Sequence, residues 1–200
     1  MPTRLKLFKS MKNNRTPFQK LVQERRSIRR YIERPVEREK ILVCLEAARL
    51  APSADNAQPW RFLVLDDAEL KQRFCDEVFS GIYSISKFAK KAPVLIVILA
   101  RLNIIAHRVG KQIQNIHFHL LDIGIAGEHI VLQAEELGLG TCWIGWFNTR
   151  KARKVLKIPR GYKITSLLSM GYYEQKPSKL KKRKELDEVV WFNEIGRKMN

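Results

Sequence analysis

The sequence predicts an α+β or α/β domain with one sheet covered on both faces by helices. Three observations predict it. Helical patterns along the chain are separated by a few short strand patterns, an order that layers helices on a sheet. Two segments, WRFLVLDD from Trp60 and APVLIVILA from Ala92, read as buried strands; the second is β-branched and continuously apolar. Finally, 200 residues, 45% hydrophobic and 29% charged, suffice for one core but not comfortably for two. The chain therefore divides into a basic lead-in over residues 1–16 and a single domain over 17–200, whose last stretch, 174–200, forms a C-terminal arm.

Taken in order, Phe18, Leu21 and Val22 have helical spacing and predict a short helix ending near Arg25. RRSIRRYIERPV follows, and Pro35 holds Arg34 extended, so no helix is expected there. Pro35 to Leu50 predicts an amphipathic helix. Ile41, Leu42, Leu45, Ala48 and Leu50 repeat at its period, and Glu37 and Glu39 sit where the helix dipole favours acids. APSADNAQP ends it with two prolines and polar turn formers. After the strand at Trp60 a helix runs to about Val78, and SGIYSISKF reads as a mobile loop. Residues 112–137 predict the longest helix, apolar on most of its circumference and so buried on nearly all sides, with Gly124, Ala126 and Gly127 permitting close approach of another backbone. GLGTCWIGWF is a turn and short strand. NTRKARKVLKI is a helix capped by Asn148 or Thr149, and YKITSLLSMGYY is a strand. Val189, Val190, Trp191 and Phe192 in the tail lack a local partner, which points to burial against another subunit.

Composition narrows the function classes. Lys and Arg number 38 against 20 Asp and Glu, a net charge of +18. The basic residues are spread along the chain with no nucleic-acid docking motif, which argues against a nucleic-acid partner. Cys44, Cys75 and Cys142 are odd in number and form no CxxC pair, so a disulfide framework is not expected and a reducing, cytoplasmic setting is. The apolar stretch from Phe118 to Leu132 is interrupted by Asp122, Glu128 and two histidines and reads as a buried helix, with no membrane partner. No HExxH and no Cys/His quartet offers a metal site. No GxSxG elbow is present. GLGTCW would need Gly at 143 for a dinucleotide fingerprint, and it follows a helix instead of a strand.

Three clusters remain. Arg25, Arg26, Ser27 and Arg29 place three guanidinium groups and a hydroxyl within five residues, a set suited to phosphate oxygens; a solvated charge run has the same composition. Pro52, Ser53, Asn56 and Gln58 present polar groups from a proline-fixed loop that can read a heterocycle or a ribityl chain, or simply cap a helix end. In Trp143, Ile144 and Gly145, the glycine allows a ligand to reach backbone N–H groups.

Together and in this order, RRSIRRY (25–31), EAARLAPSADNAQPWRFLV (46–64), KAPVLIVI (91–98), DIGIAGEHIVLQAEELGLGTCWIGWF (122–147) and LLSMGYYEQKP (167–177) resemble the nitroreductase family of flavoenzymes. The resemblance implies an α+β fold with a central mixed or antiparallel sheet flanked by helices, in an intertwined homodimer that exchanges its C-terminal tails. It implies FMN bound where the chains meet. Arg25 and Arg26 match positions at the phosphate or ribityl end, with Ser27 in the same motif, and Arg29 the position at the N1–O2 edge of the flavin. Pro52, Ser53 and Asn56 match contacts from the other subunit, supported by Gln58. Trp143, Ile144 and Gly145 match the segment along the isoalloxazine, and Lys181 and Arg183 the basic pair that closes on the phosphate. Residues within 80–90 correspond to the lid. Larger members carry an acidic residue and Gly where this chain has Gly145 and Trp146. The implied chemistry is ping-pong transfer from NADH or NADPH through flavin N5 to a small acceptor, a nitroaromatic or quinone, with no catalytic side chain. Relatives of the fold that cleave flavin or dehalogenate aromatics give the alternative activity, and a non-enzymatic anion- or nucleic-acid-binding module gives the alternative class.

Overall fold

A computed structural model describes residues 15–101, 116–178 and 182–197. They fall into two compact units, one made of the described residues within 25–176 and the other of those within 15–24 and 177–197.

Among the described residues the larger unit contains four strands: β1 (Trp60–Leu65), β2 (Val94–Arg101), β3 (Gly140–Ile144) and β4 (Tyr162–Gly171). They form one sheet in the order β1-β2-β4-β3, and each neighbouring pair is antiparallel. The one parallel pairing is a single bridge between Ser27 and Thr141 at the β3 edge. β2 is buried from Val94 to Ala100, as a continuous apolar run requires. Its residues alternate between two cores. Val94, Ile96, Ile98 and Ala100 pack under α2 (Arg38–Arg49) and α4 (Phe118–Glu136). Leu95, Val97 and Leu99 pack under α3 (Ala68–Val78) and α5 (Thr149–Val155). Helices therefore cover both faces of the sheet, the α+β architecture expected.

Four details depart from the sequence reading. Helix α2 begins at Arg38, not Pro35, because the residues before it are engaged with the end of β4. Ile32 N–H donates to Tyr172 O at 3.0 Å, Arg34 lies 4.0 Å over the Tyr172 ring, and the Tyr172 hydroxyl donates to Glu37 Oε2 at 2.6 Å. β1 is only half-buried, with Arg61 exposed, because it is the edge strand beside β2. The segment expected as a mobile loop is a run of 3-10 turns over Gly81–Lys91, with Ser86 and Ala89 buried. Helix α4 starts at Phe118 (residues 112–115 lie outside those described), and it is not buried all round. Leu120, Leu121 and Ile125 are 42%, 56% and 40% exposed, a bare apolar stripe on this single chain.

Caps behave as the sequence directs. Asp67 accepts the Leu70 N–H at 2.7 Å to start α3. Asn148, not Thr149, caps α5 by accepting Lys151 N–H at 3.0 Å.

In the terminal unit, α1 (Pro17–Glu24) is preceded by Thr16, whose hydroxyl accepts Gln19 N–H at 3.3 Å while Gln19 Oε1 accepts Thr16 N–H at 3.0 Å. A short turn over Leu186–Glu188 follows later, and Val189, Trp191, Phe192 and Ile195 are exposed. No helix among the described residues is long and apolar enough to cross a membrane.

Candidate functional site

The first and third clusters meet at the β3 edge of the sheet. Ser27 bridges Thr141, and Ile28 N–H donates to Thr141 O at 2.9 Å. Ile28 is buried and anchors the segment, while Arg29 stays exposed. Tyr31 fixes the next turn: its hydroxyl donates to Ile28 O at 2.8 Å and lies 2.8 Å from Ser169 Oγ. Burial pushes the Tyr31 phenol pKa up, so it stays protonated. This close packing needs Gly140. A Cβ there would lie 2.4 Å from Ile28 Cγ1 and 2.7 Å from both Ile28 Cβ and Tyr173 Cδ1.

Glu128 of α4 links the two clusters. Its Oε1 is 3.9 Å from Arg25 Nε, and its Oε2 accepts the Trp143 indole N–H at 3.4 Å. The indole crosses α4 over Gly127, where a Cβ would come within 2.2 Å of the ring. Arg26 donates to Arg25 O at 2.9 Å. The Arg29 guanidinium lies 5.7 Å from the centroid of the Phe88 ring, within cation–π range. The Ile144 side chain is buried in the core with Phe147, and Ile144 pairs with Leu167 of β4. Gly145 is exposed, and a Cβ there would meet nothing within 4 Å.

The second cluster is held elsewhere on the same helix. Ser53 Oγ accepts Gln58 N–H at 3.0 Å, and Gln58 Nε2 donates to Asn56 Oδ1 at 2.9 Å. Asp55, Asn56 and Gln58 have φ of 49°, 52° and 44°, left-handed conformations that cost most at Gln58 and least at Asn and Asp. Buried Asp122 of α4 fixes the loop by accepting Ala54 N–H at 3.1 Å. Pro52 is exposed. Asp122 precedes Glu128 by six residues, roughly 9 Å along the helix axis. The loop and the arginine segment are thus anchored at separate points of α4. Arg183 is exposed in the terminal unit, and Lys181 lies outside the described residues.

Sequence reasoning missed Glu128 and Trp146. Glu128 was visible only as a charge interrupting an apolar helix, and the structure leaves it half-exposed beside Arg25. Trp146 is 56% exposed, its indole N–H donates to Ile82 O at 3.0 Å, and its carbonyl accepts Ser86 Oγ–H at 3.0 Å. The cysteines are all buried, and burial pushes the Cys44 and Cys75 thiols up to about 12, which removes them as nucleophiles. Among the described residues no cluster of three His, Cys, Asp or Glu could hold a metal.

An edge with guanidinium groups, a hydroxyl and an unobstructed glycine backbone can hold an anionic group and let a flat ring lie along 143–145. The profile of the Nitroreductase family matches residues 22–172. A protein of Archaeoglobus fulgidus, provisionally named NADH dehydrogenase/NAD(P)H nitroreductase, is 32% identical over 76% of this chain and 83% of its own. The solved FMN-dependent nitroreductase of Clostridium difficile R20291 superposes with a TM-score of 0.70 at 32% identity, covering 87% of this chain and 98% of its own. An iodotyrosine deiodinase of Thermotoga neapolitana is 24% identical over 76% of this chain and 86% of its own.

Proposed function

The chain belongs to the nitroreductase family, and from that premise we propose an FMN-dependent oxidoreductase that carries electrons from NADH or NADPH to a small acceptor, a nitroaromatic or quinone. The names of its relatives support the reaction class, and the FMN-dependent homologue supports the cofactor. The observation that carries the reading is the Ser27–Thr141 bridge, which locks the Arg25–Arg29 segment beside Trp143–Gly145.

The residues present fit FMN. Arg25, Arg26 and Ser27 supply charge-assisted and neutral donors for a phosphate, and Gly145 leaves its backbone clear for a ring. Bound FMN supplies the two-electron chemistry, which needs no acid or base from the protein. Arg25 and Arg26 hold the phosphate or ribityl end. Arg29 offers a permanent positive charge to the edge of the ring on which negative charge collects. Glu128 orients Arg25 and the Trp143 indole, and so aligns the wall against which the ring lies. Gln58 holds Asn56 and Ser53 holds the Gln58 backbone, so the 52–58 loop arrives preshaped. Its anchorage away from Arg25–Arg29 supports its contributing to the site of a second copy, in a homodimer. Lys181 and Arg183 are proposed to close on the phosphate.

The test is direct. Purified protein should be yellow, release FMN on denaturation, and oxidise NADH or NADPH with menadione under anaerobic conditions. Arg29→Ala should weaken FMN binding by about ten- to hundredfold, the loss of one charge-assisted hydrogen bond. A colourless protein that fails to take up added FMN would refute the reading. The deiodinase relative motivates a second reading, reductive removal of halogen from an aromatic. Halide release from an iodinated phenol, with no turnover of menadione, would select it.

A further inference from the structure

Residues Gly81–Lys91 are wound in 3-10 turns, whose own hydrogen bonds are poor, so the placement of this segment depends on ties to its surroundings. The ties come in two sets. At the C-terminal end Lys71 Nζ donates to Lys90 O at 3.0 Å and Ala92 O at 2.7 Å, and Lys90 pairs with Asp76; all fasten it to α3. At the N-terminal half the ties go to Trp146. Its indole N–H donates to Ile82 O and its carbonyl accepts Ser86 Oγ–H, both at 3.0 Å, and its ring lies 5.4 Å from that of Tyr83. Trp146 thus clasps the segment with side chain and backbone together. It also stands immediately after Gly145, while Phe88 further along the segment lies under Arg29. The half held by Trp146 presents Ile82 and Ile85, 73% and 78% exposed.

We infer that Trp146 is a positioning residue that sets acceptor selectivity: it pins the Gly81–Phe88 stretch between Gly145 and Arg29 and so fixes the apolar wall that a planar acceptor meets on entering. The inference rests on the reading that Arg29 and Gly145 border the flavin. The clasp itself does not. The lysine ties remain when the indole is removed, so the segment frees its Ile82–Ser86 half while its Lys90 end stays attached. The apolar wall then loses its fixed place. A planar acceptor that relies on this wall binds less well, whereas a compact inorganic oxidant that does not touch it is unaffected.

The experiment compares wild type with Trp146→Phe, which keeps a ring and loses the N–H; Trp146→Ala; and Ser86→Ala, which removes the reverse bond only. Trypsin nicking after Lys87, followed by mass spectrometry with and without added FMN, reads the clasp. Loss of one hydrogen bond should speed nicking by about three- to tenfold in Trp146→Phe and Ser86→Ala, and further in Trp146→Ala. Steady-state kinetics with NADH reads selectivity. KM for menadione should rise several-fold in Trp146→Ala with kcat and ferricyanide reduction unchanged, and Trp146→Phe should fall between. Nicking at the wild-type rate in all three variants overturns the clasp. Faster nicking with an unchanged menadione KM overturns the selectivity role. A wild-type protein that binds no FMN defeats the functional reading instead, and the nicking comparison still decides the clasp.

Discussion

Glu37 shows how much a single surface contact can do to a charge. Its carboxylate accepts the Tyr172 hydroxyl, and this bond, its own backbone N–H, Arg34 and Lys40 together hold its pKa down to about 2. The sign follows. A carboxylate with a depressed folded value adds stability above its unfolded value near 4.3, and that stability is lost as pH falls through about 2. Tyr172→Phe should therefore be less stable than wild type at neutral pH in urea unfolding, with the gap narrowing as pH falls from about 4 toward 2. A gap that stays constant across that range would detach Glu37 from Tyr172. The side chains of the proposed site follow the same logic of partner over type. Arg25 was legible as a candidate from its neighbours in sequence, but Glu128, its partner, lies about a hundred residues away. Only the fold brings them together.

Helix α4 carries three attachments at the scale of elements: Asp122 to the 52–58 loop, Gly127 under the Trp143 ring, and Glu128 to Arg25. Asp122→Ala leaves the Ala54 N–H without its acceptor. The expected loss is about 1–3 kcal/mol of stability, together with weaker FMN binding by the assembled protein. Thermal unfolding and flavin titration check both, and unchanged values would place the loop's shape wholly in Ser53 and Gln58. Among the described residues every α-helix and strand was legible from its apolar pattern, whereas the 3-10 run over Gly81–Lys91 read as a loop. What failed to show were ends and environments. Pro35–Glu37 stays out of α2 because of Tyr172, over a hundred residues on, and the ties of Gly81–Lys91 lie in α3 and at Trp146. Periodicity reports neither. The expectation that α4 is buried on nearly all sides came from its apolar residues, which say what should be covered but not by which molecule.

The bare stripe on α4 belongs to the scale of the whole molecule. Leu121 and Ile125, one turn apart and flanking Gly124, face solvent in a single chain. A second copy of the chain is the proposed cover. Sedimentation of wild type should then give a species of two chains. Ile125→Glu should shift it to one chain, with most of its FMN lost, since the 52–58 loop is proposed to serve the partner's site. A single-chain wild type that holds FMN would end the proposal.

The segment that carries the arginines lies at the margin of the sheet and is joined to it by few main-chain bonds, from Ile28 to Thr141 and from Ile32 to Tyr172. β2, paired on both sides, opens only with the whole domain, whereas this margin can peel away alone. Amide protons of Ile28 and Ile32 should therefore exchange with deuterated solvent well before those of Ile96 and Val97, and saturating FMN should slow the first pair by a factor of about 1 + [L]/Kd. In that case the cofactor is also a fastener, and a cell short of riboflavin would fray this protein from its arginine border inward.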